Sequence, residues 1–304
     1  MFRTLQQAFS SLLATNGWLQ KEDKSATAEK VDAMTVEIGY PEWIKHNTNL
    51  DAEYANLTAE EDEYFKNSLR YREWTSRREL ALLRKNVENS LWSFAGPADV
   101  NAYYSYTRNG VLLPAGILQP PLYHKDLPWY SNYGGIGVVL GHEIMHGFNN
   151  IGRRYDKDGN YRTWWTQRSS DSFKEESQCI IDQYSDFVMP ENNRSLNGQK
   201  TQSENIADNG GLRVSYEAYT DKMPEGPRLP GIDFTQEQMF FLSFSQIYCT
   251  VFTPKGADVY IDTNVHSPGR YRAIGSLQNN EAFNAAFSCP AGSYMNPDVK
   301  CRVW

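Results

Sequence analysis

The chain has 304 residues, 40% hydrophobic and 13% aromatic, with a formal net charge of −7. That length suits one large domain or two small ones with an ample core. The composition is that of a globular rather than a disordered protein, and the acidic balance argues against a nucleic-acid partner. No apolar run approaches the ~20 residues that span a bilayer. The amphipathic stretch opening at Met1 carries Gln and Ser and does not read as a secretion signal.

Residues 1–92 read as a mostly helical region leading into a second part, 93–304. Leu5, Phe9, Leu12 and Leu13 form an apolar stripe that Gly17 breaks. The pattern returns over 26–38 until Gly39-Tyr40-Pro41 stops it. A long helix is expected over about 60–91, with Tyr64, Leu69, Trp74, Leu80, Leu83 and Val87 between charges, as part of a packed and solvated bundle. Beyond residue 93, glycine, proline and aromatics replace charge. Residues 100–104 and 111–113 read as short strands around the Arg108-Asn109-Gly110 turn. An apolar helix is expected over 134–149. Gly135, Gly137 and Gly141 lower its propensity, so tight burial must hold it. Further helices are expected over 166–187, 203–222 and about 236–249, with a Pro/Gly-rich loop at 223–234. A loop-rich tail with one short helix near 280–287 ends the chain. The fold class is mainly α with a small β-sheet (α+β).

The helix over 134–149 carries His142-Glu143-Ile144-Met145-His146. Imidazoles at i and i+4 lie on one helix face and can share one Zn²⁺, with Glu143 beside any water there. A hydrolytic zinc site needs a third protein ligand and one open position. Downstream, Glu204-Asn205-Ile206-Ala207-Asp208 again sets two carboxylates at i and i+4. Glu204 supplies the third ligand, and Asp208 can accept a hydrogen bond from a ligand histidine. A bare H-E-x-x-H also occurs on ordinary solvated helices; the second motif and the glycines around both turn the reading toward metal. The alternative H-E-x-x-H-x-x-G-x-x-H arrangement fails, because Asn149 stands at its glycine and Gly152 at its third histidine.

Gly141 to Phe148 (GHEIMHGF) and Glu204 to Leu212 (ENIADNGGL) resemble the neprilysin-like zinc endopeptidases, peptidase family M13. So do Asn101 to Tyr104 (NAYY), Pro114 to Pro121 (PAGILQPP), Val265 to Gly269 (VHSPG) and the terminal Cys301-Arg302-Val303-Trp304. The resemblance runs along the whole chain but covers only the carboxy-terminal part of the family's ectodomain. It implies a zincin (thermolysin-like) catalytic domain over 93–304 that holds one Zn²⁺ on His142, His146 and Glu204. It makes Glu143 the general base, His266 the donor to the developing oxyanion and Asp208 the support of a ligand histidine. It assigns Asn101 and Ala102 to an edge strand along which peptide lies, and Arg272 to substrate carbonyl groups. Leu122, Val138, Val139, Ile247 and Tyr248 match the family's apolar pocket for the residue after the cut; plain core packing would account for each of them equally well.

The four cysteines lack C-x-x-C spacing and, on their own, read either as buried thiols or as disulfides. The resemblance implies Cys179–Cys301 within the chain. It pairs Cys249 and Cys289 with an amino-terminal lobe that, like the family's membrane anchor, is absent from this sequence. It also implies a cell-surface or secreted protein, with which the sequons at Asn56 and Asn193 are compatible. Two positions depart from the family: Asn149 and Asn264 stand where aspartate is usual, so each can orient an imidazole without adding charge. Two functions follow from different classes. One is an endopeptidase of short peptides, and the other a truncated or weakened relative that binds peptide or a partner without efficient turnover.

Overall fold

The computed structural model describes residues 1–86, 90–93, 95–222 and 229–304. The stripe position Val87 and loop residues 223–228 lie outside them. Helix α1 (Phe2–Thr15) buries Phe2, Leu5, Phe9 and Leu13, one face of a 3.6-residue period. Helix α2 (Lys21–Ala33) follows with Glu22 and Asp23 in its first turn, where they complement the helix dipole. The helical pattern expected to reach Ile38 stops sooner, and Thr35–Gly39 is strand β1. The β-branched Thr35, Val36 and Ile38 favour a pleated strand there. Two helices come next, α3 (Asn47–Tyr54) and α4 (Tyr64–Ala81). The expected packed bundle is not found at this point, since α4 is shorter than the predicted helix and buries no residue. It meets α3 through stacking of Tyr54 on Trp74 and an Arg78–Glu53 ion pair.

The short strands fall where the turn chemistry puts them. Strands β2 (Tyr103–Ser105) and β3 (Gly110–Pro114) pair antiparallel, with Tyr103 opposite Leu112. Asn109 takes a positive φ of 45° between them. Strand β1 lies parallel on the other side of β3, so the order is β1-β3-β2 and β2 is an edge.

Helix α5 (Trp129–Asn132), a π turn over Tyr133–Gly137 and α6 (Val138–His146) follow one another and carry the zinc motif. The wide turn frees backbone groups that find partners elsewhere. Ser215 Oγ donates to the Tyr133 carbonyl at 2.7 Å, and Ile136 N–H to that of Leu122 at 2.8 Å. Helix α7 (Gln167–Ser185) starts at an N-cap made by Thr166, itself hydrogen-bonded to Asp23 of α2. A two-residue hairpin, β4 (Val188–Met189) with β5 (Arg194–Ser195), leads into α8 (Gly198–Lys222), which starts before the expected Ser203. Helix α9 (Gln236–Gln246) opens on a Thr235–Gln238 capping box.

The tail is more helical than its sequence suggests. Helices α10 (Pro254–Thr263) and α11 (Gly269–Gln278) precede the expected short helix, α12 (Glu281–Ala286). Pro254 and Gly269, residue types that disfavour helix interiors, both sit at helix starts. Pro254 occupies the first turn, where a missing N–H costs nothing, behind the N-cap Thr253.

The H-E-x-x-H and E-x-x-x-D motifs meet where α6 crosses α8. A Cβ on Gly141 would lie 2.6 Å from the Gly211 carbonyl oxygen, and one on Gly211 would lie 2.5 Å from the His142 nitrogen. Only paired glycines let the two backbones touch, and that contact brings Glu204 within reach of both histidines. Behind α6 an aromatic cluster of Phe9, Trp18, Phe148, Trp165, Phe173 and Trp304 joins both ends of the chain. The disulfide Cys179–Cys301, the pairing the resemblance implies, ties α7 to the terminal segment. Cys249 and Cys289 are free thiols.

Candidate metal centre and substrate cleft

Three ligand atoms converge. The nearest side-chain donors of His142, His146 and Glu204 lie within 4.8 Å of one another. The two Nε2 atoms are 3.0 Å apart, and Glu204 Oε2 lies 3.2 Å from His142 Nε2 and 3.4 Å from His146 Nε2. Glu204 Oε2 is buried without a hydrogen bond in good geometry. A buried carboxylate oxygen facing three imidazole nitrogens, those of His142, His146 and His266, with no proper hydrogen bond is what a cation would satisfy. The donor set, two imidazoles and one carboxylate, is that of a catalytic zinc site. The residues therefore fit the ion.

The surroundings set the charges. Burial opposes charge on the His142 ring, but Asp208 and Glu204 outweigh it and push its pKa up to about 10. The contact is direct: His142 Nδ1 lies 2.8 Å from Asp208 Oδ1. Burial also opposes the charge of Glu204, and the imidazoles of His142, His146 and His266 nevertheless hold it far below the ordinary carboxylate range. Asp208 is fully buried and likewise depressed, against burial, by Arg272 and His142. Arg272 grips Asp208 in a two-point pair, with Nε and Nη2 each 2.7 Å from a carboxylate oxygen. Its guanidinium lies 4.7 Å from the centroid of the Tyr248 ring. Arg272 thus braces Asp208 from the cleft wall, besides any contact with substrate.

A cleft of about 550 Å³ opens over these groups. Glu143 and His266 line it, as do Asn101, Ala102, Leu122, Val139, Ile247, Tyr248 and Arg272. Val138 does not reach it: the side chain is wholly buried, because adjacent helical residues point about 100° apart. Asp208 stands behind the ligands instead of in the cleft. Asn101 and Ala102 precede the edge strand β2, whose Tyr103 and Tyr104 also line the cleft. His266 Nε2 lies 3.1 Å from Glu204 Oε2, and its Nδ1 lies 3.1 Å from Asn264 Oδ1, which also accepts the His266 backbone N–H at 2.8 Å.

Sequence reasoning missed several members of the site. Asn205, inside the E-N-x-x-D motif, accepts a 2.7 Å hydrogen bond from Ser267 Oγ and so links α8 to the His266 loop. Tyr106 lines the cleft, its ring edge-on to His146 at 6.5 Å and stacked on Tyr155. Lys30 of α2 is wholly buried and donates to the carbonyls of Gly147, Gly152 and Tyr155 at 2.8, 2.8 and 2.7 Å. It thereby fixes the chain leaving the zinc helix. Asn205 stood next to a motif position and was findable from the sequence; Lys30, more than a hundred residues from its acceptors, was not.

A mainly helical body with a small sheet, two crossing helices bearing H-E-x-x-H and E-x-x-x-D, and a cleft over both define the zincin-type peptidase fold. Comparison with known proteins narrows this. The profile described as Peptidase family M13 matches residues 101–303. Neprilysin of Oryctolagus cuniculus is 46% identical over 99% of this chain and 40% of its own length. An endothelin-converting enzyme homolog of Locusta migratoria is 41% identical over 100% of this chain and 42% of its own. The crystal structure of Mycobacterium tuberculosis zinc metalloprotease Zmp1 with an inhibitor superposes with a TM-score of 0.90 at 31% identity, covering 99% of this chain and 46% of that one. The chain belongs to peptidase family M13. It spans about 40% of the length of the curated relatives it matches.

Proposed function

We propose that this chain is the carboxy-terminal catalytic part of a zinc-dependent endopeptidase that hydrolyses short peptides. Residues 93–304 supply the chemistry, and 1–92 lead into it. The observation that carries this reading is the convergence of His142, His146 and Glu204 beneath a cleft that Glu143 lines. His142, His146 and Glu204 would hold the ion, which when bound polarises the scissile carbonyl and acidifies the attacking water. Peptide adds as a strand along β2, with Asn101 and Ala102 meeting its main chain. Leu122, Val139, Ile247 and Tyr248 offer an apolar wall to the residue after the cut. Glu143 takes the proton of the attacking water and returns it to the leaving amine. His266 donates a hydrogen bond to the oxygen on which negative charge develops. Asp208 holds the His142 ring, and Arg272 holds Asp208. No covalent intermediate is needed.

The rest of a full-length protein, an amino-terminal lobe, would close over the cleft and cover α4. A cell-surface or secreted location is supported by the Cys179–Cys301 disulfide, which persists in oxidising compartments. Among the described residues no helix is long and apolar enough to cross a membrane. The second reading, a relative that binds peptide without efficient turnover, is favoured by one observation, the neutral amides of Asn149 and Asn264 at the two histidines.

The test is zinc stoichiometry together with hydrolysis of a quenched peptide, by the purified chain and by the protein completed with the amino-terminal lobe of a relative. One zinc per chain is expected, and Glu143→Gln should keep it while losing at least ~10²-fold in turnover. Normal turnover by Glu143→Gln would refute the mechanism, and a chain that binds one zinc but never cleaves would establish the second reading.

A further inference from the structure

The two ligand histidines are held by opposite kinds of partner. The Nδ1 of His142 faces a carboxylate oxygen of Asp208 at 2.8 Å. The Nδ1 of His146 faces the amide nitrogen of Asn149, also at 2.8 Å. Asn149 is fully buried, and both ends of its amide are engaged. Its Oδ1 accepts the backbone N–H groups of Ile151 at 2.9 Å and Gly152 at 2.8 Å. Its Nδ2 meets His146 Nδ1 and Ser203 Oγ, each at 2.8 Å, and the Tyr106 phenol joins the same network.

A neutral imidazole carries one proton. With Asn149 placed this way, His146 Nδ1 must be the acceptor, so the proton sits on Nε2. Yet Nε2 is the atom that points at the shared centre, 3.0 Å from its counterpart on His142. To ligate a metal there, His146 must present a bare Nε2 and carry its proton on Nδ1, which sets two N–H donors against each other at Asn149. Turning the amide over gives Nδ1 an oxygen, but it sets the NH₂ group against the N–H of Ile151 and Gly152. One conflict is exchanged for two, at a side chain that is fully buried. A carboxylate would have no such conflict, because one oxygen could take the backbone pair and the other the imidazole.

We propose that Asn149 holds His146 in its non-ligating tautomer and thereby weakens zinc retention by this chain. This rests on the zinc reading given above. Asn149 is a positioning residue, acting through the His146 ring. Replacing a hydrogen-bond partner of a metal-ligating histidine changes affinity by about 10–100-fold. Asn149→Asp, which keeps the shape and the oxygen that accepts both backbone N–H groups, should tighten zinc by that factor.

The experiment measures zinc binding by the full chain in competition with a chromophoric chelator near neutral pH. It compares the parent, Asn149→Asp and Asn264→Asp. The last adds the same charge beside His266, which is not a ligand, and controls for general electrostatics. Long-range ¹⁵N NMR of the zinc-free proteins reports the His146 tautomer independently of metal. The expected result is tighter zinc in Asn149→Asp, a change within ~3-fold in Asn264→Asp, and an Nε2 proton in the parent that moves to Nδ1 in Asn149→Asp. Equal zinc affinity in parent and Asn149→Asp overturns the inference while leaving the zinc site standing. Equal tightening by both aspartates, or a parent His146 already protonated on Nδ1, overturns it too. If neither parent nor variant binds zinc, the site reading itself fails and takes the inference with it.

Discussion

The crossing of α6 and α8 and the helix α4 are built on opposite terms. At the crossing, backbones touch through Gly141 and Gly211, and His142, Glu143, His146, Glu204 and Asp208 are all buried. Along α4 nothing is buried: Tyr64 is 88% and Phe65 73% exposed, and Glu73–Arg77 and Arg78–Glu53 pairs line its surface. Exposed ion pairs contribute under about 1 kcal/mol each, so α4 gains little from its own surface. The metal site therefore gets its rigidity from this chain's core, whereas α4 carries apolar side chains with no core to enter. The chain spans about 40% of its relatives' length, and under the function proposed above the remainder would meet this chain at α4 and the cleft mouth, away from the ligand geometry.

The sharpest way to break this comparison is to place one methyl group at the crossing. Gly211→Ala sets a Cβ 2.5 Å from the His142 nitrogen and 2.8 Å from its Cα, backbone atoms that cannot step aside. A loss of about 3 kcal/mol in urea unfolding is expected, with zinc binding lost in parallel. Leu80→Gln on α4, where Leu80 is 64% exposed, should change stability by no more than about 0.5 kcal/mol. In a protein completed with the amino-terminal lobe the same Leu80→Gln should become clearly destabilising. If Gly211→Ala is silent, or Leu80→Gln is costly in this chain alone, the contrast is wrong.

Lys30 extends the buried side of the comparison to the first forty residues. Burial pushes its ammonium down to about 7, with Asp156 opposing, while three carbonyl oxygens at hydrogen-bond distance accept from its protons. Lys30→Met keeps most of the volume and orphans those acceptors, one of them the carbonyl next to His146. A loss of about 2–3 kcal/mol is expected by urea unfolding. A variant as stable as the parent would mean that water or a shifted backbone satisfies those carbonyls without Lys30.

Asp156, in the turn that supplies one of those carbonyls, gives the pH-dependent member of the set. Burial opposes its charge, but the N–H groups of Asn160 and Asp158, both at 2.9 Å, and the Arg162 side chain hold its carboxyl below the ordinary range. A carboxyl depressed in the folded state stabilises above the ordinary aspartate pKa, and that contribution drains away as pH falls through the folded value. Asp156→Asn should therefore be less stable than the parent by about 1–2 kcal/mol near neutrality. The gap should close as unfolding is measured at pH values falling below the ordinary aspartate range. A gap that stays constant with pH would assign the effect to packing.

The same contrast explains what could be read from the sequence. The crossing was legible because its chemistry is local: i and i+4 spacing on two helices, and glycines that only close contact explains. The strands at 103–105 and 110–114 were legible from their turn. The α4 region misled, since apolar residues at helical spacing say that a face exists but not whether anything covers it. Helices α10 and α11 were hidden because proline and glycine at a first turn look like the breaks they are elsewhere. At the site, Val138 and Val139 could not be told apart without the helix phase, and nothing in the sequence aims Arg272 at Asp208.

The smallest effect expected at the site concerns the loop that faces the cleft. Asn264 Oδ1 accepts from the His266 backbone N–H at 2.8 Å and lies 3.1 Å from its Nδ1, so the amide already supplies the orienting contacts a carboxylate would make. Ser267, anchored on Asn205, holds the next residue in place. Geometry is therefore not what Asn264→Asp would add; it would add negative charge beside the His266 ring, and a charge-assisted hydrogen bond is the stronger one as the oxyanion develops. In the completed, active protein this should raise kcat a few-fold, on the order of 1 kcal/mol or less, and leave KM nearly unchanged, because the donor matters in the transition state and not in ground-state binding. A change confined to KM would mean that His266 touches bound peptide but not the reacting carbonyl. No change in either constant would make the amide at Asn264 as good a partner as the carboxylate, and the weakening of the site would then have to lie at His146.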